Sequence, residues 1–96
     1  MAIRERYDFD SLSNDAEELI VSEIEKQIPG HPELCTCNEC ILDVAAYALN
    51  RVRPRYRVSL LDSVYVDAEE RNEYLKEIRR AVHEGILKVS TNPPHD

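Results

Sequence analysis

All three cysteines of this 96-residue chain lie within six positions, as Cys35, Cys37 and Cys40 in a C-x-C-x-x-C arrangement. Thiolates are soft ligands for zinc, and structural zinc sites take four ligands in a tetrahedron. An odd number of thiols this close together makes a poor disulfide framework. The spacing therefore predicts a metal site with Zn²⁺ as the ion. Its alternatives are unligated thiols that pack against the fold, or a redox pair.

The fourth ligand of such a site is left open by spacing and composition. The candidates are His31, His83, His95, a carboxylate, or a group from a second subunit. His31 is the nearest of the histidines in sequence. His95 ends a short proline-containing tail that would otherwise have little to hold it in place.

Four arginines at alternate positions follow the cysteines, as Arg51, Arg53, Arg55 and Arg57. Pro54 disfavours a helix at the residue before it, and alternate side chains of an extended backbone share one face. We therefore expect the guanidinium groups to line one edge, although Arg51 also suits the end of the preceding helix. Guanidinium groups bind phosphates and stack on bases. The alternative is that they pair with acidic residues of this chain or of a partner.

Two neighbours of the arginines are further candidates for a ligand site. Asn50 offers hydrogen bonds to a ligand but could equally cap the helix end, and Tyr56 could stack on a base or lie in an interface. The chain has two glycines, and it shows no phosphate-binding glycine loop, nucleophile elbow or pair of catalytic carboxylates. No enzymatic activity is expected.

The composition limits the class of protein. The net charge is −7, with 43% hydrophobic and 32% charged residues. This acidic balance disfavours non-specific binding to nucleic acid or to anionic membranes. No segment approaches the length of apolar sequence that spans a bilayer, and the cysteine pattern suits a reducing compartment. We expect a cytoplasmic protein with one domain, whose small size makes a metal or a second copy helpful.

Two capping boxes predict where the first helices begin. Asn14 with Glu17 predicts the start of one helix, and Thr36 with Glu39 predicts the start of a second inside the cysteine cluster. The second helix should end near Val52. It is apolar around most of its circumference and needs cover on more than one side, so we expect a homodimer.

A third helix is predicted from a capping box of Asp67 and Glu70, with an apolar stripe that runs up to Gly85, where the glycine either ends or loosens the helix. The residues after Gly85 either extend this helix or form a short strand. Residues 1–13 are expected to form an N-terminal arm, and residues 14–96 the domain. The predicted fold class is mostly α, a compact homodimeric domain of three to four helices with a zinc-stabilised loop.

A family resemblance is carried by residues 35–58, which begin C-x-C-x-x-C-x-x-D-V and continue, after one residue, as A-x-A-L-N-x-V-x-P-x-Y. This pattern resembles that of the late competence development protein ComFB family, with weaker support from the acidic helix 14–24 and the tail 92–95. The resemblance implies a mostly helical homodimer with a structural zinc. It also favours His95 as the fourth ligand, since family tails of this kind often finish with His or Cys.

The resemblance further implies a receptor for cyclic dinucleotides, notably cyclic di-GMP, without catalysis. We expect a regulatory module that binds such a messenger, or another phosphorylated small molecule, through these residues: Asn50, Arg51, Arg53, Arg55, Tyr56 and Arg57. The alternative is a scaffolding protein of the competence or motility type, which docks an acidic partner protein through the same arginines. Arg53 and Arg57 depart from the family pattern, and both departures add positive charge.

Overall fold

The computed structural model describes residues 2–58, without the Arg57 side chain, and residues 68–94. Within these ranges the protein is mostly helical, as predicted, with two short strands and with 3₁₀ turns at Phe9–Ser11 and Ile28–Gly30. The labelled elements are α1 (Ile3–Arg6), β1 (Ser13–Asn14), α2 (Asp15–Gln27), α3 (Asn38–Leu49), β2 (Tyr56–Arg57) and α4 (Ala68–Thr91).

The amino end of α2 is connected to the arginine segment. Asn14 caps the helix as predicted, because its Oδ1 accepts the N–H of Ala16 at 3.1 Å. The same oxygen accepts the N–H of Arg55 at 2.8 Å, and Asn14 pairs with Tyr56 in the antiparallel β1–β2 ladder. One asparagine therefore starts a helix and fixes the backbone that follows α3.

The amino end of α3 differs from the prediction by one residue. Cys37, not Thr36, is the N-cap, and its Sγ accepts the N–H of Cys40 at 3.4 Å. The predicted threonine cap is therefore wrong, because a thiol of the cluster occupies the place that a hydroxyl usually takes. Helix start and cysteine cluster still form one unit, as the sequence indicated.

The carboxyl end of α3 tightens before the chain becomes extended. The helix ends at Leu49, and the N–H groups of Arg51 and Val52 both bond to the Ala48 carbonyl, at 3.0 and 3.1 Å. Val52 is buried, which anchors this last turn in the core. The predicted end near Val52 is therefore confirmed when the closing turn is included.

α4 continues through Gly85 to Thr91, so of the two alternatives that the sequence left open after Gly85 the structure has the longer helix and not a short strand. The glycine does not end the helix, since its φ is negative. A Cβ at this position would lie 3.2 Å from both the Val44 carbonyl oxygen and Cδ1 of Tyr47. Gly85 therefore allows α3 and α4 to approach closely. The predicted cap at Asp67 lies outside the described residues.

The orientation of α3 against α4 follows from two contacts. Gly85 lies against Val44 and Tyr47 in the middle of α3, whereas Arg53, beyond the carboxyl end of α3, pairs with Glu77 earlier in α4. Moving forward along α3 therefore corresponds to moving backward along α4, so the two helices are antiparallel. The carboxyl end of α4 consequently runs toward the amino end of α3, where the cysteines lie.

The core lies where α2, α3 and α4 meet. Its largest fully buried side chains are Tyr74, Ile20, Ile78, Ile86, Val44, Val82 and Cys40. Residues 2–13 lie outside this core, and their apolar side chains Ile3, Tyr7, Phe9 and Leu12 are exposed. Among the described helices, none is both long enough and apolar enough to cross a bilayer.

Candidate functional site

The three thiols converge as the spacing predicted. The sulfurs of Cys35, Cys37 and Cys40 all lie within 4.8 Å of one another. In a tetrahedral zinc site, Zn–S bonds of about 2.3 Å place the sulfurs about 3.8 Å apart. The thiols would therefore have to close by at most about 1 Å to share one ion. The donor set and its geometry suit a metal ion.

The three sulfurs occupy different environments. Cys35 is exposed, Cys37 is half-buried and Cys40 is buried in the first turn of α3. A hydrogen bond from the Cys37 backbone lowers the pKa of Cys35, with a further contribution from the Cys37 thiol. Burial raises the pKa of Cys40 to about 12. The metal-free cluster therefore keeps the Cys40 proton at neutral pH, and metal binding must release it.

The fourth ligand is not among the side chains that the structure places around the cysteines. In the described ranges no histidine, carboxylate or further thiol joins the cluster. His31 and His83 instead lie against each other, with ring centroids 5.4 Å apart. His95 lies outside the described residues. The antiparallel arrangement sends the tail after Thr91 toward the cysteine end of α3, so His95 stays the predicted ligand.

The four arginines do not form one extended edge. Arg51 belongs to the closing turn of α3, because its N–H bonds to Ala48, and β2 contains only Tyr56 and Arg57. The helical turn persists because buried Val52 belongs to the core. The backbone of Arg57 pairs with Ser13. The structure thus favours the alternative in which Arg51 belongs to the helix end.

Tyrosine rings position three of the arginine side chains. The Arg51 guanidinium carbon lies 3.8 Å from the centroid of the Tyr47 ring. The corresponding carbons of Arg55 and Arg53 lie 5.0 and 5.8 Å from the centroid of Tyr74. These are cation–π distances. The buried Tyr74 also donates its hydroxyl hydrogen bond to the Arg53 carbonyl, so it holds both backbone and side chains of the segment.

Sequence reasoning did not assign either tyrosine to this positioning role. Tyr47 precedes Arg51 by four residues, and that spacing on a helix was a signal that could have found the pair. Tyr74 comes from α4, and no local spacing relates it to Arg53 or Arg55. Burial raises the pKa of Tyr74, so its hydroxyl stays protonated and able to donate at neutral pH.

The charge environment differs among the arginines. Arg53 donates to Oε2 of Glu77 from Nη2 at 3.1 Å and from Nε at 3.3 Å, so the predicted alternative of pairing with an acid holds for this residue. Among the described residues, no carboxylate lies within ion-pair distance of the Arg51 or Arg55 guanidinium groups. A cavity of about 160 Å³ adjoins this region, with space for a phosphate group; its lining is Arg53, Pro54, Arg55, Glu70 and Tyr74.

The remaining candidates lie at the rim of this region. Asn50 is exposed, and its Nδ2 donates to the Ala46 carbonyl at 2.9 Å, which is the capping role left open by the sequence. The Tyr56 side chain is 64% exposed, so its ring is available to a ligand or to a second chain. The Arg57 side chain lies outside the described part of the molecule.

Comparisons with known proteins give a consistent result. The family model described as "Late competence development protein ComFB" matches residues 13–93. Among solved structures, the late competence protein ComFB from Bacillus subtilis is similar, with a TM-score of 0.70 and 26% sequence identity. That similarity covers 85% of this chain and 91% of the other. A comparison with curated proteins found no match.

Proposed function

The chain belongs to the late competence development protein ComFB family, and from that premise we propose a non-enzymatic, homodimeric regulatory module that binds a cyclic dinucleotide such as cyclic di-GMP. In this proposal zinc, held by Cys35, Cys37 and Cys40 with His95, stabilises each subunit. The observation that carries the ligand assignment is the arginine segment. There, Arg51 and Arg55 lie on tyrosine rings, with no carboxylate partner among the described residues.

A guanidinium over a tyrosine ring is well prepared for phosphate. The ring orients the planar group and leaves its N–H edge available for two parallel hydrogen bonds to phosphate oxygens. Arg55 has this arrangement over Tyr74, whose ring is itself fixed by burial. Arg55 is therefore the principal phosphate ligand in the proposal. Arg53 contributes after it leaves Glu77.

The cysteine cluster supports the site from the other end of α3. A zinc ion held by the three sulfurs and a fourth protein ligand would cross-link this turn, and such a ligand set suits a structural and not a hydrolytic role. Cys40 and Val44 connect this end of the helix to the core. Because α3 is one continuous helix that is capped at its carboxyl end by Asn50, fixing its amino end also helps to fix Asn50 and the arginine segment that follows.

A dimer suits both the ligand and the surface. A cyclic dinucleotide of two identical nucleotides has two-fold symmetry, and a two-fold dimer offers it equivalent groups from each chain. The cavity of about 160 Å³ beside Arg55 has space for only part of such a ligand. On α3, the Leu42 side chain is 59% exposed. A second subunit would cover apolar surface of this kind and contribute the second half of the site.

Titration calorimetry tests the proposal on zinc-loaded protein whose dimeric state has been verified by light scattering. Cyclic di-GMP or cyclic di-AMP should bind, and Arg55→Ala should weaken binding about tenfold or more, because a charge-assisted hydrogen bond contributes about 1.5–3 kcal/mol. Arg80→Ala is the matched control, since it removes one exposed arginine from α4. The absence of heat at submillimolar ligand would contradict the proposal. Retention of an acidic protein by the ligand-free dimer would then favour the docking alternative.

A further inference from the structure

Two histidines from different elements meet outside the cysteine cluster. His31 follows the 3₁₀ turn after α2, and His83 lies on α4. Their ring centroids are 5.4 Å apart and the rings are tilted by 54°. His31 Nδ1 is also 2.8 Å from Oε1 of Glu33. These contacts bring together one carboxylate and two imidazoles that have no role in the proposed function.

The contact with Glu33 determines which nitrogen of His31 is free. A carboxylate only accepts hydrogen bonds, so Nδ1 carries the proton, and in the neutral ring Nε2 keeps its lone pair. Metal-binding histidines almost always donate their other ring N–H to a carboxylate, a carbonyl or water. The neutral His31 ring therefore has the tautomer and the orientation of a metal ligand.

The distance between the rings suits two ligands on one ion. With Zn–N bonds of about 2.0–2.1 Å in a tetrahedron, the centroids of two imidazoles lie about 5 Å apart. The observed 5.4 Å requires only a small adjustment. The His31 side chain is 17% exposed and His83 is exposed, so an ion can reach the pair from solvent.

We propose that His31 and His83 form a second metal site, separate from the cysteine cluster, for a divalent ion of the Zn²⁺ class. The two imidazoles bind the ion, water completes its coordination, and Glu33 is a positioning residue that orients His31. With two protein ligands this site binds zinc more weakly than the thiolate cluster. A bound ion connects the loop that leads to Cys35 with α4. The inference does not depend on binding of a dinucleotide.

Equilibrium dialysis against increasing Zn²⁺, with bound zinc measured by mass spectrometry of the elements, tests this site. The wild-type chain should bind one tight and one weaker equivalent. His31→Gln and His83→Gln should each lose the weaker equivalent and keep the tight one. Glu33→Gln should keep the weaker equivalent with about tenfold lower affinity. Glu25→Gln, a change at an exposed acid of α2, is the matched control and should bind like the wild type.

Three outcomes would overturn the second site. One is a wild-type chain that binds a single equivalent. Another is loss of the tight equivalent in His31→Gln or His83→Gln, which would make that histidine a ligand of the cysteine cluster. The third is an unchanged weaker equivalent in His83→Gln. Circular dichroism verifies the fold of each variant, and the exposed His83 decides the question if His31→Gln does not fold.

Discussion

The two ends of α3 carry different chemistry and are built in different ways. At the amino end, three sulfurs gather within 4.8 Å, and one of them is buried. At the carboxyl end, Arg51 lies on Tyr47, while Arg53 and Arg55 lie near Tyr74. One end brings like ligands together, whereas the other spreads cations over separate rings.

The difference follows from where the contacts originate. The sulfurs come from six consecutive residues, Cys35 to Cys40, so a single turn and the start of a helix determine their geometry. The arginine end depends on distant segments, because Asn14 accepts from the Arg55 backbone and Tyr74 donates to the Arg53 carbonyl. The amino end is thus a local structure, and the carboxyl end exists only in the assembled fold.

The largest effect on stability is expected from a substitution in the cysteine cluster at the amino end of α3. Cys40→Ser replaces a buried ligand by a poor one, and it leaves a hydroxyl in a place prepared for a sulfur. The tight zinc should be lost, and the thermal unfolding midpoint should fall further than it does after substitution of Gly85 or Glu77. Elemental analysis and calorimetry measure the two effects. Thr36→Ala, in the same exposed turn, should change neither, and an unchanged midpoint in Cys40→Ser would contradict a structural metal.

A second prediction concerns a substitution that displaces the middle of α3, which connects the two ends of the helix. Gly85→Val adds a branched side chain where even a Cβ would lie 3.2 Å from the Val44 carbonyl oxygen. Overpacking of this kind costs about 2 kcal/mol of unfolding free energy. Denaturant unfolding measures this loss, and binding of zinc and of cyclic di-GMP should weaken together if α3 couples the ends.

Gly30→Ala is the matched control for that variant. A Cβ at Gly30 would have no neighbour within 4 Å, and its φ is negative. The change should therefore be neutral or should stabilise by up to about 1 kcal/mol, through a less flexible unfolded chain. Equal losses in the two variants would mean that close helix packing at Gly85 is not the cause.

The parts of the fold that the sequence predicted are those with local causes. Asn14 caps α2 because a short polar side chain before an apolar helix has that role, and the convergence of the thiols follows from their spacing. At Gly85 the sequence left open whether the helix ends or continues, and the tertiary contact with α3 keeps this glycine within α4. The error at the cap has a local cause, because Cys37 displaces Thr36.

The candidate site likewise has a part that the sequence predicted and a part that depends on tertiary contacts. The sequence predicted the three thiols and the set of arginines, but it could not place Tyr74 near Arg55, because 19 positions separate them and only the packing of α4 brings them together. The partner of Arg53 could not be chosen either, since acidic residues are abundant in this chain. His95 and the Arg57 side chain lie outside the described residues, so these two assignments stay predictions.

The smallest effect on stability is expected from a substitution in the arginine segment at the carboxyl end of α3. Arg53 and Glu77 form an ion pair whose side chains are 65% and 40% exposed. Such pairs contribute about 1 kcal/mol or less, so Glu77→Gln should change the unfolding free energy by less than about 1 kcal/mol. The change also releases Arg53 toward the cavity that it shares with Arg55. Affinity for cyclic di-GMP should therefore rise a few-fold in titration calorimetry.

The control for this variant is Glu73→Gln, which removes the same charge one helical turn away, where Glu73 pairs with Lys76 at 3.4 Å. It should leave the affinity nearly unchanged, because Lys76 does not line the cavity beside Arg55. An equal rise in both variants would show that net charge alone attracts the ligand. No rise in Glu77→Gln would leave Arg55 as the phosphate ligand and limit Arg53 to holding the segment against α4. The two variants thus show whether Arg53 binds the ligand or only holds its segment against α4. The three sulfurs at the other end of α3 do not need this test.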